Sequence, residues 1–181
     1  MSDGGLLETA GYQHGYFTTG QAAAAGISRR ALVGREGRGV IERIAYGLYR
    51  LRQFPVTPRD DFYALQTRVP AGTFSHDTAL ELLDVSDVLP RTIHLTVPTA
   101  SGLKPRPGIT IHRSDIEASD RILRDDLWIT GLARTLLDCA RAGTDAEQLL
   151  TAMAAGRERG LLGPRDQERL AAVYPFRGRT R

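Results

Sequence analysis

The chain has 181 residues, 41% hydrophobic and 25% charged, a composition that excludes wholesale disorder and allows a packed core in one ordinary domain or two small ones. Asp, Glu or Arg breaks every apolar run short of the ~20 residues that a membrane helix needs, and the opening MSDGG lacks the layout of a signal peptide. The expectation is a soluble, cytoplasmic protein with no membrane partner.

Cys139 is the only cysteine, which excludes an internal disulfide and a cysteine-based zinc site; among Leu136, Leu137 and Ala140 it reads as a small core residue. There are 23 Arg but one Lys, Lys104, so a P-loop, a protein kinase of the usual type and lysine-dependent nucleases cannot be assembled. Residues 1–52 carry seven Arg against four acids, which is the whole formal charge of +3, and within 27–52 the balance is seven to two. Such a cluster suits a phosphate backbone, although an Arg-rich chain scattering arginine over solvated faces gives the same count. The local pattern has to separate the two.

Residues 18–26 (TTGQAAAAG) start with a Thr cap and end in Gly, which predicts a short helix. Ile27 follows, then Ser28 as a second N-cap before RRALV, so two helices meet across a three-residue turn. Ala22 is small enough for a close crossing, with Ile27 and Leu32 beneath. In this helix-turn-helix the helix capped by Ser28 is the recognition helix, whose first residues reach base edges and phosphates. Gly34 and Gly37 disfavour its second half, each by ~1 kcal/mol relative to Ala. If the helix stops near Gly34, Arg35 and Arg38 sit on a loop and meet phosphates, not bases. A nucleotide loop over 34–39 lacks its flanking strand and helix. Residues 40–44 and 48–51 then read as a β-hairpin, a wing with Tyr46 at its tip, and Tyr49 as cover for the sheet. Residues expected to contact DNA are Thr19, Ser28, Arg29, Arg30, Arg35, Arg38, Arg43, Tyr46 and Arg50, with Arg52 nearby.

Residues 53–58 (QFPVTP), with two prolines, read as a linker, dividing a domain 1–55 from a domain 56–181. A helix over 59–68 follows, with Phe62, Leu65 and Val69 inward. A short strand at 72–75 then leads into a helix over 76–83 with Ala79, Leu82 and Leu83 inward. Residues 92–97 and 108–113 alternate like strands around an exposed loop holding Pro98, Pro105 and Pro107. A third strand at 127–129 leads to a helix from Thr130 through 142, and helices over 145–159 and 164–173 complete an α+β domain. Residues 177–181 (RGRTR) read as a frayed tail.

Several of these blocks together resemble the AbiEi-type antitoxins of abortive-infection (type IV) toxin–antitoxin systems: residues 26–32 (GISRRAL), 42–50 (ERIAYGLYR), 75–83 (SHDTALELL), 90–98 (PRTIHLTVP) and 129–138 (ITGLARTLLD). The resemblance spans about residues 15–160. It implies an α+β protein with an N-terminal winged helix-turn-helix that binds operator DNA as an autorepressor. The C-terminal mixed α+β domain would neutralise a nucleotidyltransferase-like toxin. Some similar proteins continue into a nuclease domain, which this chain is expected to lack. The alternatives are an enzyme that inactivates the toxin by phosphoryl transfer and a plain winged-helix regulator without a toxin.

In the second domain Arg134 and Asp138, four apart, suit either an intrahelical ion pair worth ~0.3–0.5 kcal/mol or a contact that orients the toxin, and Arg141 extends the same stripe. Those three are the candidate partner-binding residues. His76 and Asp77 are explained as a polar helix start. His94 and His112 lie on separate strands that can approach each other, but no third ligand is defined, so no metal is expected, nor any cofactor. No nucleophile elbow is present. The protein is expected to be no enzyme, a monomer or weak dimer that pairs on DNA.

Overall fold

The computed structural model describes residues 3–87 and 89–173, so the tail at 177–181 lies outside the described residues. The molecule is mixed α+β and divides into two compact units, Met1–Pro70 and Ala71–Arg181. Among the described residues no helix is long and apolar enough to cross a membrane.

The first unit runs α1 (Asp3–Gly11), β1 (Tyr16–Thr18), α2 (Thr19–Ala24), α3 (Arg29–Gly37), β2 (Ile41–Ala45), β3 (Leu48–Leu51) and α4 (Asp60–Arg68). Thr18 caps α2 through a capping box, its hydroxyl accepting from the Gln21 amide while the Gln21 side chain accepts from the Thr18 amide. Ser28 caps α3, accepting from the Ala31 amide at 3.2 Å. Between them Gly26 turns the chain at φ +80°, which an L side chain rarely adopts. Gly34 and Gly37 do not stop α3: the helix continues to Gly37, with Arg38 as its C-cap. Only Leu32 of α3 is buried. It packs in a core with Leu6, Ala10, Phe17, Ala22, Ile27, Ile41 and Leu51, each large apolar member contributing ~1.5–3 kcal/mol of burial.

The sheet is antiparallel in the order β1-β3-β2, with Phe17 opposite Tyr49 and Ile41 opposite Leu51. The residues between β3 and α4 do not divide the chain. Tyr16 donates to the Asp60 carboxylate at 2.8 Å and His14 stacks on Tyr63 at 3.6 Å, which fastens α4 to the first unit and moves the division from the expected residue 55 to Pro70.

The second unit contains β4 (Thr73–Phe74), α5 (His76–Leu83), β5 (Ile93–Val97), β6 (Ile109–Arg113), a 3₁₀ turn (Ala118–Asp120), β7 (Arg121–Arg124), β8 (Leu127–Thr130), α6 (Leu132–Ala142), α7 (Ala146–Glu158) and α8 (Pro164–Val173). The mixed sheet has the order β6-β5-β4-β8-β7; β5/β6 and β4/β8 are parallel, β4/β5 and β7/β8 antiparallel. Leu132, Ala133, Leu136, Leu137 and Cys139 are buried along α6, whereas Ala140, expected on the same stripe, is half-buried. Its N-cap is Gly131; the Thr130 hydroxyl instead pairs with that of Thr135 at 2.7 Å. Gly156 of α7 lies so close to Leu132 that a Cβ there would collide with its methyl group.

Candidate functional site

The two capped helices and the hairpin place most, not all, of the expected DNA-contacting residues on solvent. Ser28, Arg29, Arg30, Arg38, Arg43 and Tyr46 are exposed, and Thr19 is half-exposed at the start of α2. Arg29 and Arg30 occupy the first turn of α3, and Val33, 66% exposed, lies three and four residues on, over the same face. Tyr46 is 82% exposed at the hairpin tip, with the Arg43 guanidinium 6.0 Å from its ring centre. The Thr19 amide donates to the Gly47 carbonyl at 3.0 Å, which ties the hairpin turn to α2. Tyr49 is half-buried and stacks on Phe17, covering the sheet as expected.

Arg50 is a correction. Its side chain is 8% exposed, donates to the Phe54 carbonyl at 3.0 Å and lies 3.7 Å from both the Glu42 and Asp60 carboxylates. A guanidinium held on three sides by its own chain is a structural cation, not a phosphate contact. Burial raises the Asp60 carboxyl pKa, but hydrogen bonds from the Thr57 amide and hydroxyl and from Tyr16, with the Arg50 charge, hold it below the usual carboxylate range. Arg35 also falls outside the exposed set. It is on the helix and not on a loop, three residues past Leu32, half-buried along an apolar cleft with Leu6, Leu7, Val40 and Ile41.

In the second unit Arg134 and Asp138 pair at 2.8 Å as the spacing suggested, but inside the protein and not on a solvated stripe. Arg134 also reaches Ser114 at 3.1 Å and Asp120 at 3.5 Å, and Asp120 accepts two hydrogen bonds from Arg169 at 2.6 and 3.0 Å. Those Arg169 bonds, against the opposing effect of burial, lower the Asp120 pKa. Arg141 is exposed, 3.5 Å from Asp138. Burial raises the Cys139 thiol pKa, with Asp77 nearby adding to the effect, so the thiol is protonated and inert at neutral pH.

His94 and His112 do approach, Nδ1 to Nε2 at 3.1 Å, and His76, read from the sequence as a polar helix start, joins them as a third member. Its ring stacks on His112 at 3.6 Å, and one ring nitrogen from each of the three histidines falls within 4.8 Å of the others. His76 and His112 line a cleft of about 520 Å³ whose walls also include Thr96, Ser114, Arg134, Asp138 and Arg141.

Residues 6–52 match the model of a family described as a transcriptional regulator, AbiEi antitoxin, so the AbiEi-type resemblance is shown for that segment. That family is one of antitoxins and transcriptional regulators. A crystal structure of the RV2827C protein from Mycobacterium tuberculosis has a similar fold. Its TM-score is 0.55 at 16% identity, over 95% of this chain and 71% of that one. No curated protein matches the sequence.

Proposed function

We propose that the first unit is a winged helix-turn-helix that binds operator DNA and represses its own operon, and that the second unit neutralises a nucleotidyltransferase-like toxin. The observation that carries the reading is the exposed pair Arg29 and Arg30 at the capped start of α3, in a segment similar to AbiEi regulators. In a helix-turn-helix this end of the second helix enters the major groove, where Arg reads guanine edges or binds phosphate, and Val33 suits a thymine methyl group. The hairpin is the wing, with Arg43 and Tyr46 for the flanking backbone or minor groove, while Thr19, Ser28 and Arg38 meet phosphates. Two copies on repeated half-sites supply the affinity that one small module lacks.

For the partner role the exposed Arg141 is the best-placed of the three candidates, since Arg134 and Asp138 are committed to each other and to Ser114 and Asp120. A mobility shift with the DNA upstream of the gene tests the first half: Arg29→Ala with Arg30→Ala should abolish or weaken the shift, and an unchanged shift rejects the recognition-helix assignment. Co-expression with a neighbouring nucleotidyltransferase tests the second. The full chain should relieve growth arrest, and Arg141→Glu should impair that relief without changing the DNA shift.

A further inference from the structure

We propose that His76, His94 and His112 are the three protein ligands of a divalent transition-metal site of the zinc type, whose fourth position opens to water in the adjoining cleft. The cluster is assembled from three separate elements: His76 opens α5, while His94 and His112 stand on the same face of the parallel neighbours β5 and β6, where Thr96 lies opposite His112. On a sheet face under a helix, apolar side chains are the norm. This one carries Thr96, Thr110 and two histidines, while Ile93, Leu95, Val97, Ile109 and Ile111 alternate to the other.

The distances suit an ion. A tetrahedral site with ~2.05 Å bonds to imidazole has its ligand atoms ~3.3 Å apart. His94 Nδ1 and His112 Nε2 already stand 3.1 Å apart, and no pair of ligand atoms in the cluster exceeds 4.8 Å. His76 Nδ1 is hydrogen-bonded to the Ser75 hydroxyl at 2.9 Å, which in turn accepts from Thr96 at 2.7 Å; a hydrogen bond of this kind orients a ligating imidazole.

The backbone points the same way. His76 is held at φ +51°, a left-handed conformation that costs a non-glycine residue ~1–3 kcal/mol and that brings its ring onto His112. Three crowded imidazoles are a ligand set for a borderline-soft cation. Thr96, Ser114 and Arg141 at the cleft leave the fourth position to water.

The test uses the full chain, stripped with a chelator and then titrated with Co²⁺ followed by visible absorption and with Zn²⁺ followed by calorimetry. One ion per chain, with the absorption of a tetrahedral Co²⁺ site and sub-micromolar Zn²⁺ affinity, is expected. Since loss of an outer-shell partner alone weakens metal sites by 10–100-fold, His94→Gln and His112→Gln should each weaken binding by more than ~100-fold. Metal-free circular dichroism identifies a variant that has failed to fold. If both have, the histidine ring resonances of the native chain decide, because all three must shift with Zn²⁺. No stoichiometric binding, unchanged binding in a folded Gln variant, or shifts that spare the three rings would overturn the proposal and leave a hydrogen-bonded histidine cluster.

Discussion

Replacing Arg50 by methionine keeps an apolar stem in a nearly closed site while removing the guanidinium that joins β3 to Phe54, Glu42 and Asp60. The lost hydrogen bond to the Phe54 carbonyl is charge-assisted and worth ~1.5–3 kcal/mol, whereas the 3.7 Å pair with the 43% exposed Glu42 adds ~0–1 kcal/mol. Asp60 is not orphaned, because it still accepts three hydrogen bonds at 2.8 Å from the Thr57 amide, the Thr57 hydroxyl and Tyr16. The cost therefore stays below the ~3–5 kcal/mol of breaking an isolated buried pair, at about 2 kcal/mol. In a chain of two compact units a single unfolding midpoint is ambiguous, so amide hydrogen exchange in β1 and β3 is the appropriate assay. It should accelerate roughly thirtyfold. The dependence of DNA affinity on salt should not change. A salt slope reduced by ~0.9 with native exchange rates would show that Arg50 meets a phosphate and is no structural cation.

Gly37 has open space around its missing Cβ and no left-handed φ, so Gly37→Ala should stabilise α3 by ~0.5–1 kcal/mol in urea unfolding; destabilisation would contradict its helical environment. Gly156→Ala drives a methyl into Leu132 and should cost ~1–3 kcal/mol, a result that an unmoved urea midpoint would exclude. Asp120, whose folded pKa lies below its unfolded one, contributes stability that is fully present above the unfolded pKa and is lost as the pH falls below about 4. Asp120→Asn should therefore be less stable than the native chain at neutral pH and converge with it in acid, whereas parallel curves would refute the assignment.

What sequence makes legible is local. Thr18, Ser28 and Gly26 mark helix ends by bonds within four residues, and α2 and α3 stand where those caps put them. β7 escapes notice even though Asp125 and Asp126, both at positive φ, form a two-residue hairpin turn between it and β8. The helix α1 escapes because Gly4, Gly5 and Gly11 weaken its propensity; it is held instead by Leu6 and Ala10 in the core. Arg50 is misread because charge is visible along a chain and the carboxylate that neutralises it, ten residues on in α4, is not. The place of His76 beside the other two histidines escapes for the same reason. Its neighbours His94 and His112 are far in sequence, and only the turn of the chain from β4 into α5 brings the three rings together.

The central claim, that the arginines opening α3 meet a DNA duplex, is tested most directly by the affinity for the upstream DNA across a salt series, for the native chain and for Arg29→Ala with Arg30→Ala. If both arginines bind phosphate, the logarithmic slope should fall by about 1.8, at ~0.9 for each phosphate no longer neutralised. An identical slope and affinity in the variant, or no binding by the native chain at low salt, would contradict the account.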